Sequence, residues 1–147
     1  MDMVNDQVFG QMKYNHRWVK QENIALWGNK HNVKIVAKAY SSKPITDAQR
    51  ESYIFFKSNL VKISEETETL ICKYVKDNLE DISIYWSNAK EYHSADEFNG
   101  DVTLTTVLFN QNGDIILLCD AVWDIESGLG IKIHPQYEIG PQDLFLK

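Results

Sequence analysis

The sequence predicts a single α+β domain over residues 1–147, an antiparallel, mainly meander β-sheet with two consecutive α-helices packed on one face. Three observations carry the prediction. Short β-prone pieces separated by turn residues occupy Val8 to Tyr40, two helical patterns follow between Thr46 and Lys76, and two β-prone runs flank an Asn-Gly pair after Gly100. A chain of this length buries roughly 68–70% of the surface that it exposes unfolded, enough for one core but hardly for two.

The first four strands are expected at Val8 to Tyr14, Arg17 to Lys20, Ile24 to Trp27 and Asn32 to Tyr40. In the last, Val33, Ile35, Ala37 and Ala39 alternate with Lys34, Val36, Lys38 and Tyr40, a period of two that sends most cations to solvent. Gly28 to His31 supplies the preceding turn. Thr46-Asp47-Ala48-Gln49 reads as a capping box, because the hydroxyl and the amide can satisfy backbone donors at a helix start. A helix follows from Asp47 to about Asn59, with Tyr53, Phe56 and Leu60 on its core stripe and Ile54 beside them. Ser64 is expected to cap the second helix, whose buried face is Leu70, Ile71, Tyr74 and Val75.

Between Asp77 and Asp101 the periodicity fails, leaving a long irregular stretch with room for a short helix. Beyond Gly100, Val102 to Phe109 and Ile115 to Trp123 are joined by Asn112-Gly113, two residues that tolerate positive φ. A two-residue turn there sets Phe109 opposite Ile116, Val107 opposite Leu118 and Thr105 opposite Asp120. Leu104, Leu108, Leu117, Cys119, Ala121 and Trp123 then share an apolar face, while Val107, Phe109 and Leu118 fall on a mixed one. Leu129 to Ile133 and Tyr137 to Ile139 complete the sheet after a turn at Ile125 to Gly128.

Fifteen Lys and Arg against 21 Asp and Glu give a net charge of −6, which disfavours nucleic acid and anionic membranes and suits a basic partner. The start, Met1 to Asp6, holds two acids, no cation and no following apolar run of signal-peptide length, so a cytoplasmic location is expected. Cys72 and Cys119 sit in apolar contexts as buried thiols, with no base beside them to make a nucleophile. His16, His31, His93 and His134 show no metal-ligand spacing, and Gly128-Leu129-Gly130 lacks the third glycine and the helix of a dinucleotide cradle. Neither a metal nor a cofactor is expected. Asp120, Asp124 and Glu126 gather near one hairpin end, where paired carboxylates could serve a metal-binding protein or a hydrolase; structural hydrogen bonding and turn formation are the plainer use of such acids. In the irregular stretch, Glu80, Asp81, Glu91, Asp96, Glu97 and Asp101 surround Tyr85, Trp86, Tyr92 and Phe98, a mixture of aromatic area and steering charge that suits a protein interface.

The segment Cys119 to Ile131, followed by Tyr137 to Gly140 and Asp143, resembles an uncharacterised bacterial family with a W-D-x-E-x-G-L-G signature, and Gln49, Tyr53 and Phe56 match its upstream Q-x-x-x-Y-x-x-F helix. Ser127 stands where that family commonly has histidine. The motif residues Asp120, Trp123, Asp124, Glu126, Gly128 and Gly130 are taken as a fold element. The resemblance implies a companion of polymorphic toxins, similar to contact-dependent growth inhibition immunity proteins: a non-enzymatic inhibitor that occludes the active site of a cognate toxin domain. A nuclease toxin would be cationic, so an acidic inhibitor can copy the field of its substrate. Tyr92, Asp96, Glu97 and Asp101 are the expected toxin-binding residues. A housekeeping scaffold or oligomer is the remaining alternative.

Overall fold

The computed structural model describes residues 2–146. It is an α+β fold built on one eight-stranded sheet whose spatial order follows the chain: β1 (Met3–Asp6), β2 (Gly10–Tyr14), β3 (Trp18–Leu26), β4 (Asn29–Ala37), β5 (Val102–Phe109), β6 (Ile115–Ala121), β7 (Leu129–His134) and β8 (Glu138–Gly140). Every neighbouring pair is antiparallel except β4 and β5, which run parallel with Ile35 beside Val107. The meander expected from sequence is therefore broken once. A parallel pair needs a long crossover, and the chain supplies it as α1 (Asp47–Ser58), α2 (Leu60–Asp77), α3 (Leu79–Tyr85) and α4 (Ala95–Phe98), four helices where two were expected.

The expected breaks in the N-terminal strands need correction. The two pieces expected at Arg17 to Lys20 and Ile24 to Trp27 merge, but for Arg17 and Trp27 themselves, into one nine-residue strand, β3, and its hairpin with β4 turns at Trp27-Gly28, ahead of the expected Gly28 to His31. Both turn residues have positive φ, +57° at Trp27 and +78° at Gly28. A bulky residue seldom adopts that conformation. Tertiary contacts hold it here: the Trp27 amide donates to Ser64 Oγ at 2.7 Å, its indole Nε1 donates to Thr67 Oγ1 at 2.8 Å, and its carbonyl accepts from Asn99 Nδ2 at 3.0 Å. Ser64 consequently lies inside α2 and does not cap it. That helix begins at Leu60 and buries Ile63, Thr67, Ile71 and Val75, whereas Leu70 and Tyr74 are only partly covered.

The capping box forms as read from sequence: Gln49 N–H donates to Thr46 Oγ1 at 3.1 Å, and Thr46 N–H donates to Gln49 Oε1 at 2.9 Å. Its amide has a second use. Gln49 Nε2 donates to the carbonyls of Lys38 and Phe109, at 2.8 and 3.0 Å, stitching the ends of the two parallel strands together.

Between β5 and β6 the expected register is wrong by one residue. Gly113 alone takes positive φ, at +98°, and the loop closes through Asn110 N–H to Asp114 O at 2.9 Å and Gly113 N–H to Asn110 O at 2.8 Å. A longer loop of this kind sets Phe109 opposite Ile115 and Val107 opposite Leu117; an irregularity between Leu104 and Thr106 then shifts the pairing by one more residue, to Leu104 with Cys119 and Thr103 with Asp120. Because side chains alternate, one inserted residue exchanges the faces. Val107 and Phe109 thus join Leu104 and Leu117 in the main core, while Leu108 turns to the opposite side with Val36 and Ile116 under Phe145. Thr105 donates to the Leu118 carbonyl at 3.1 Å and has no pairing with Asp120.

The β1–β2 hairpin bends over the core. Phe9 at its tip stacks on Tyr53 with ring centres 4.4 Å apart, and Asp6 accepts from Arg50, Val8 and Phe9. Burial would raise the Asp6 carboxyl, but the guanidinium and the two amides outweigh it and hold it below its ordinary 3.8. A depressed carboxyl stabilises the fold fully above its unfolded value and loses that contribution as pH falls through the folded one. Equilibrium unfolding in urea at pH 7 and pH 3 is expected to show a drop that Asp6→Asn makes smaller, with the variant weaker at pH 7 by about 1–3 kcal/mol.

Candidate functional site

A groove of about 600 Å³ opens between the C-terminal end of α2, α3 and the connection from β6 to β7. Tyr74 and Asn78 form one wall, Asp81, Ile82 and Tyr85 another, and Val122 to Glu126 with Gly128 the third. Among the described residues, no Lys or Arg lines it. A second, smaller depression with Asp101, Thr103 and Asp120 shares Val122 and Ile125 with the first. Ile125 is therefore a ridge between two carboxylate-lined hollows, and it is 89% exposed. Tyr85, across the groove, is 81% exposed.

The local sequence explains why an apolar side chain stands out there. Asp124 Oδ1 accepts from Ser127 N–H at 3.0 Å, and its carbonyl accepts from Gly128 N–H at 2.7 Å, closing a tight turn after Trp123. Trp123 anchors the turn inward, with Trp86 and Tyr92 rings 6.3 and 6.5 Å away. Gly128 has φ +62°, and a Cβ there would run into the Cys119 carbonyl oxygen; one at Gly130 would come within 2.5 Å of the Phe145 ring. With Trp123 directed into the core and Asp124 occupied in the turn, Ile125 is left at the tip.

The residues singled out from sequence separate into distinct roles. Tyr92 is 3% exposed and donates its hydroxyl to Asp101 Oδ2 at 2.8 Å, so its ring belongs to the core; burial first, and then the neighbouring carboxylate, push its ionisation up. Glu97 is engaged locally, accepting from the backbone N–H of His93 at 3.2 Å and contacting its ring Nδ1 at 3.1 Å. That contact holds the Glu97 carboxyl below the usual range. Asp96 is exposed on α4. Asp120 and Glu126 are exposed and Asp124 is half-buried. Among the described residues, no group of three His, Cys, Asp or Glu side chains is placed to hold a metal ion, so Asp120, Asp124 and Glu126 are not gathered into such a set. Burial raises both thiols, with Glu68 and Glu97 adding to the effect at Cys72 and Asp120 at Cys119, so neither is activated as a thiolate.

A family model described as "Domain of unknown function (DUF6985)" matches residues 8–146. The chain belongs to this family. No curated protein and no solved structure matches this DUF6985 chain. Among its described residues, no helix is long and apolar enough to cross a membrane.

Sequence reasoning had not assembled Asp81, Tyr85, Val122 and Ile125 into a site of this DUF6985 domain. A signal was present nonetheless. Residues 91–131 hold eight Asp and Glu and not one Lys or Arg, and Ile125 falls inside a turn between two acids, where no periodicity assigns it a burying neighbour. What the sequence could not convey is that α3, distant along the chain, forms the opposite wall.

Proposed function

We propose that this chain is a cytosolic, non-enzymatic immunity-type protein that binds a basic, nuclease-like toxin domain through the groove around Ile125 and blocks its active site. In this reading α1 and α2 cover the core face of the sheet, since Phe56, Ile63, Ile71 and Val75 share one apolar cluster with Val107, Phe109, Leu117 and Ile131. The scaffold is then rigid, and α3 and the β6–β7 turn are left to meet a partner.

The observation that carries the proposal is the placement of Ile125 and Tyr85, two well-exposed apolar side chains, among Asp81, Asp120 and Glu126, with no cation among the described residues that line the groove. Apolar anchors in a charged rim are how protein interfaces divide affinity from steering. The resemblance of Trp123 to Gly130 to a toxin-associated motif supports the same reading, as does the net charge of −6. Of the residues expected to bind the toxin, Tyr92, Asp96, Glu97 and Asp101, it is Asp101 that lines the second hollow.

Co-expression with the product of the adjacent gene, followed by size-exclusion chromatography at low and high salt, tests the proposal. A stoichiometric complex is expected. Replacing Asp81, Asp120 and Glu126 together with lysine should slow association about 10-fold or more at low salt and far less at high salt. Ile125→Ala should instead raise the dissociation rate, by about 30-fold if the side chain is a central anchor. Unchanged kinetics in both variants would refute this site.

A further inference from the structure

We propose that the unpaired rim of β3, with the cationic dish beside it, docks an extended, carboxylate-rich segment of another polypeptide. The rim follows from register. A two-residue hairpin joins β3 to β4, so Leu26 and Asn29 exchange both hydrogen bonds, and the even-numbered residues of β3 turn their N–H and C=O groups toward β4. The odd-numbered ones face the other way. On that side β2 pairs only with Trp18 and Val19, because the β1–β2 hairpin is drawn away over the core by Phe9 on Tyr53 and Asp6 on Arg50. Gln21, Asn23 and Ala25, all exposed, therefore present backbone donors and acceptors with no strand of the described residues beside them.

The charge beside this rim is of one sign. Where β2 diverges from β3 a dish of about 580 Å³ is lined by Lys13, Arg17 and Lys34 with Gln11 and Gln21. Lys34 lies directly across from Gln21 and Lys30 from Ala25. Among the described residues, none of these four cations has a carboxylate partner, although the chain as a whole is acidic. The one acid of β3, Glu22, points to the core side, where Lys57 and the Tyr53 hydroxyl engage it. Sheet edges are usually protected by inward-pointing charges that a docking strand would strand without partners. Here Lys20 and Glu22 are already satisfied from within, Lys20 by the Tyr53 hydroxyl at 2.9 Å, and do not obstruct the rim. An incoming strand satisfies the open backbone groups, and carboxylates at alternate positions meet the cations. This surface is separate from the groove around Ile125 and does not depend on it.

The probe is a short fluorescein-labelled peptide alternating Glu and Val, followed by fluorescence anisotropy on the whole chain at low salt. Binding is expected, with no binding of a Lys and Val counterpart. Lys13→Glu with Lys34→Glu should weaken it at least about 10-fold. Alternation fixes which side chains face outward, so N-methylation of every second peptide nitrogen should weaken binding by about 10-fold or more in one of its two phases and little in the other. Asn23→Pro should act like the damaging phase, since the amide that it removes points away from β4. Equal binding of both methylated peptides, a thymidine oligonucleotide binding as tightly as the peptide, or no peptide binding at all would overturn the proposal.

Discussion

Gly128→Ala is expected to be among the most damaging single substitutions in this chain, lowering stability by about 3 kcal/mol or more. Two effects act together. The residue sits at φ +62°, where an L side chain is strained, and the new methyl would press on the Cys119 carbonyl oxygen, a backbone atom inside the sheet that cannot swing aside. The turn from Trp123 to Gly128 would have to open, releasing the Asp124 bonds to Ser127 and Gly128. Urea unfolding with an unchanged slope and a lower midpoint is the expected result. Gly130→Ala offers a graded comparison, because its added methyl meets the Phe145 ring, which can rotate away. A Gly128→Ala variant as stable as the parent would mean that the turn is looser than its geometry indicates.

Trp27→Ala should have an effect of similar size, about 3–5 kcal/mol, from loss of a large buried aromatic. The residue is 2% exposed and packs edge-on to Phe98 and His31, with centroids 5.5 and 5.6 Å away. Its indole N–H also satisfies Thr67 in the middle of α2. Relief of the positive φ is expected to recover only part of the loss, since alanine is strained there too. Trp27→Phe separates the contributions: the ring is largely kept while Thr67 Oγ1 loses its donor, and a smaller loss of about 1–2 kcal/mol should follow. Thermal unfolding of the three proteins, read by far-UV circular dichroism, checks the order parent, Phe, Ala.

These two residues also show where the sequence was legible and where it was not. Local chemistry was readable when partners lie within one turn: Thr46 and Gln49 announce a helix start, and the alternation from Val33 to Ala39 marks a strand. Trp27 was read as the end of a strand because nothing local permits a tryptophan to take a positive φ; Ser64, Thr67 and Asn99 permit it from far along the chain. The same distant demand took Ser64 away from its expected cap. At Asn112-Gly113 the pair marked the hairpin correctly, yet only Gly113 adopts positive φ, and one residue of slippage moved Val107, Leu108 and Phe109 to opposite faces. The candidate site divides likewise. The acidity of residues 91–131 is written in the composition, but the wall that Asp81 and Tyr85 provide is a consequence of how α3 follows α2.

The stitch by Gln49 across Lys38 and Phe109 has a kinetic consequence. Six of the seven strand pairings join consecutive strands through a nearby reversal of the chain, so two ribbons, β1 to β4 and β5 to β8, can each zip up early. Only the seam where residue 34 meets residue 106 demands closure of a long loop, and that search falls late and slow. Weakening the stitch with Gln49→Ala should accordingly retard refolding more than it hastens unfolding, the signature of a contact already made when the two halves commit to each other.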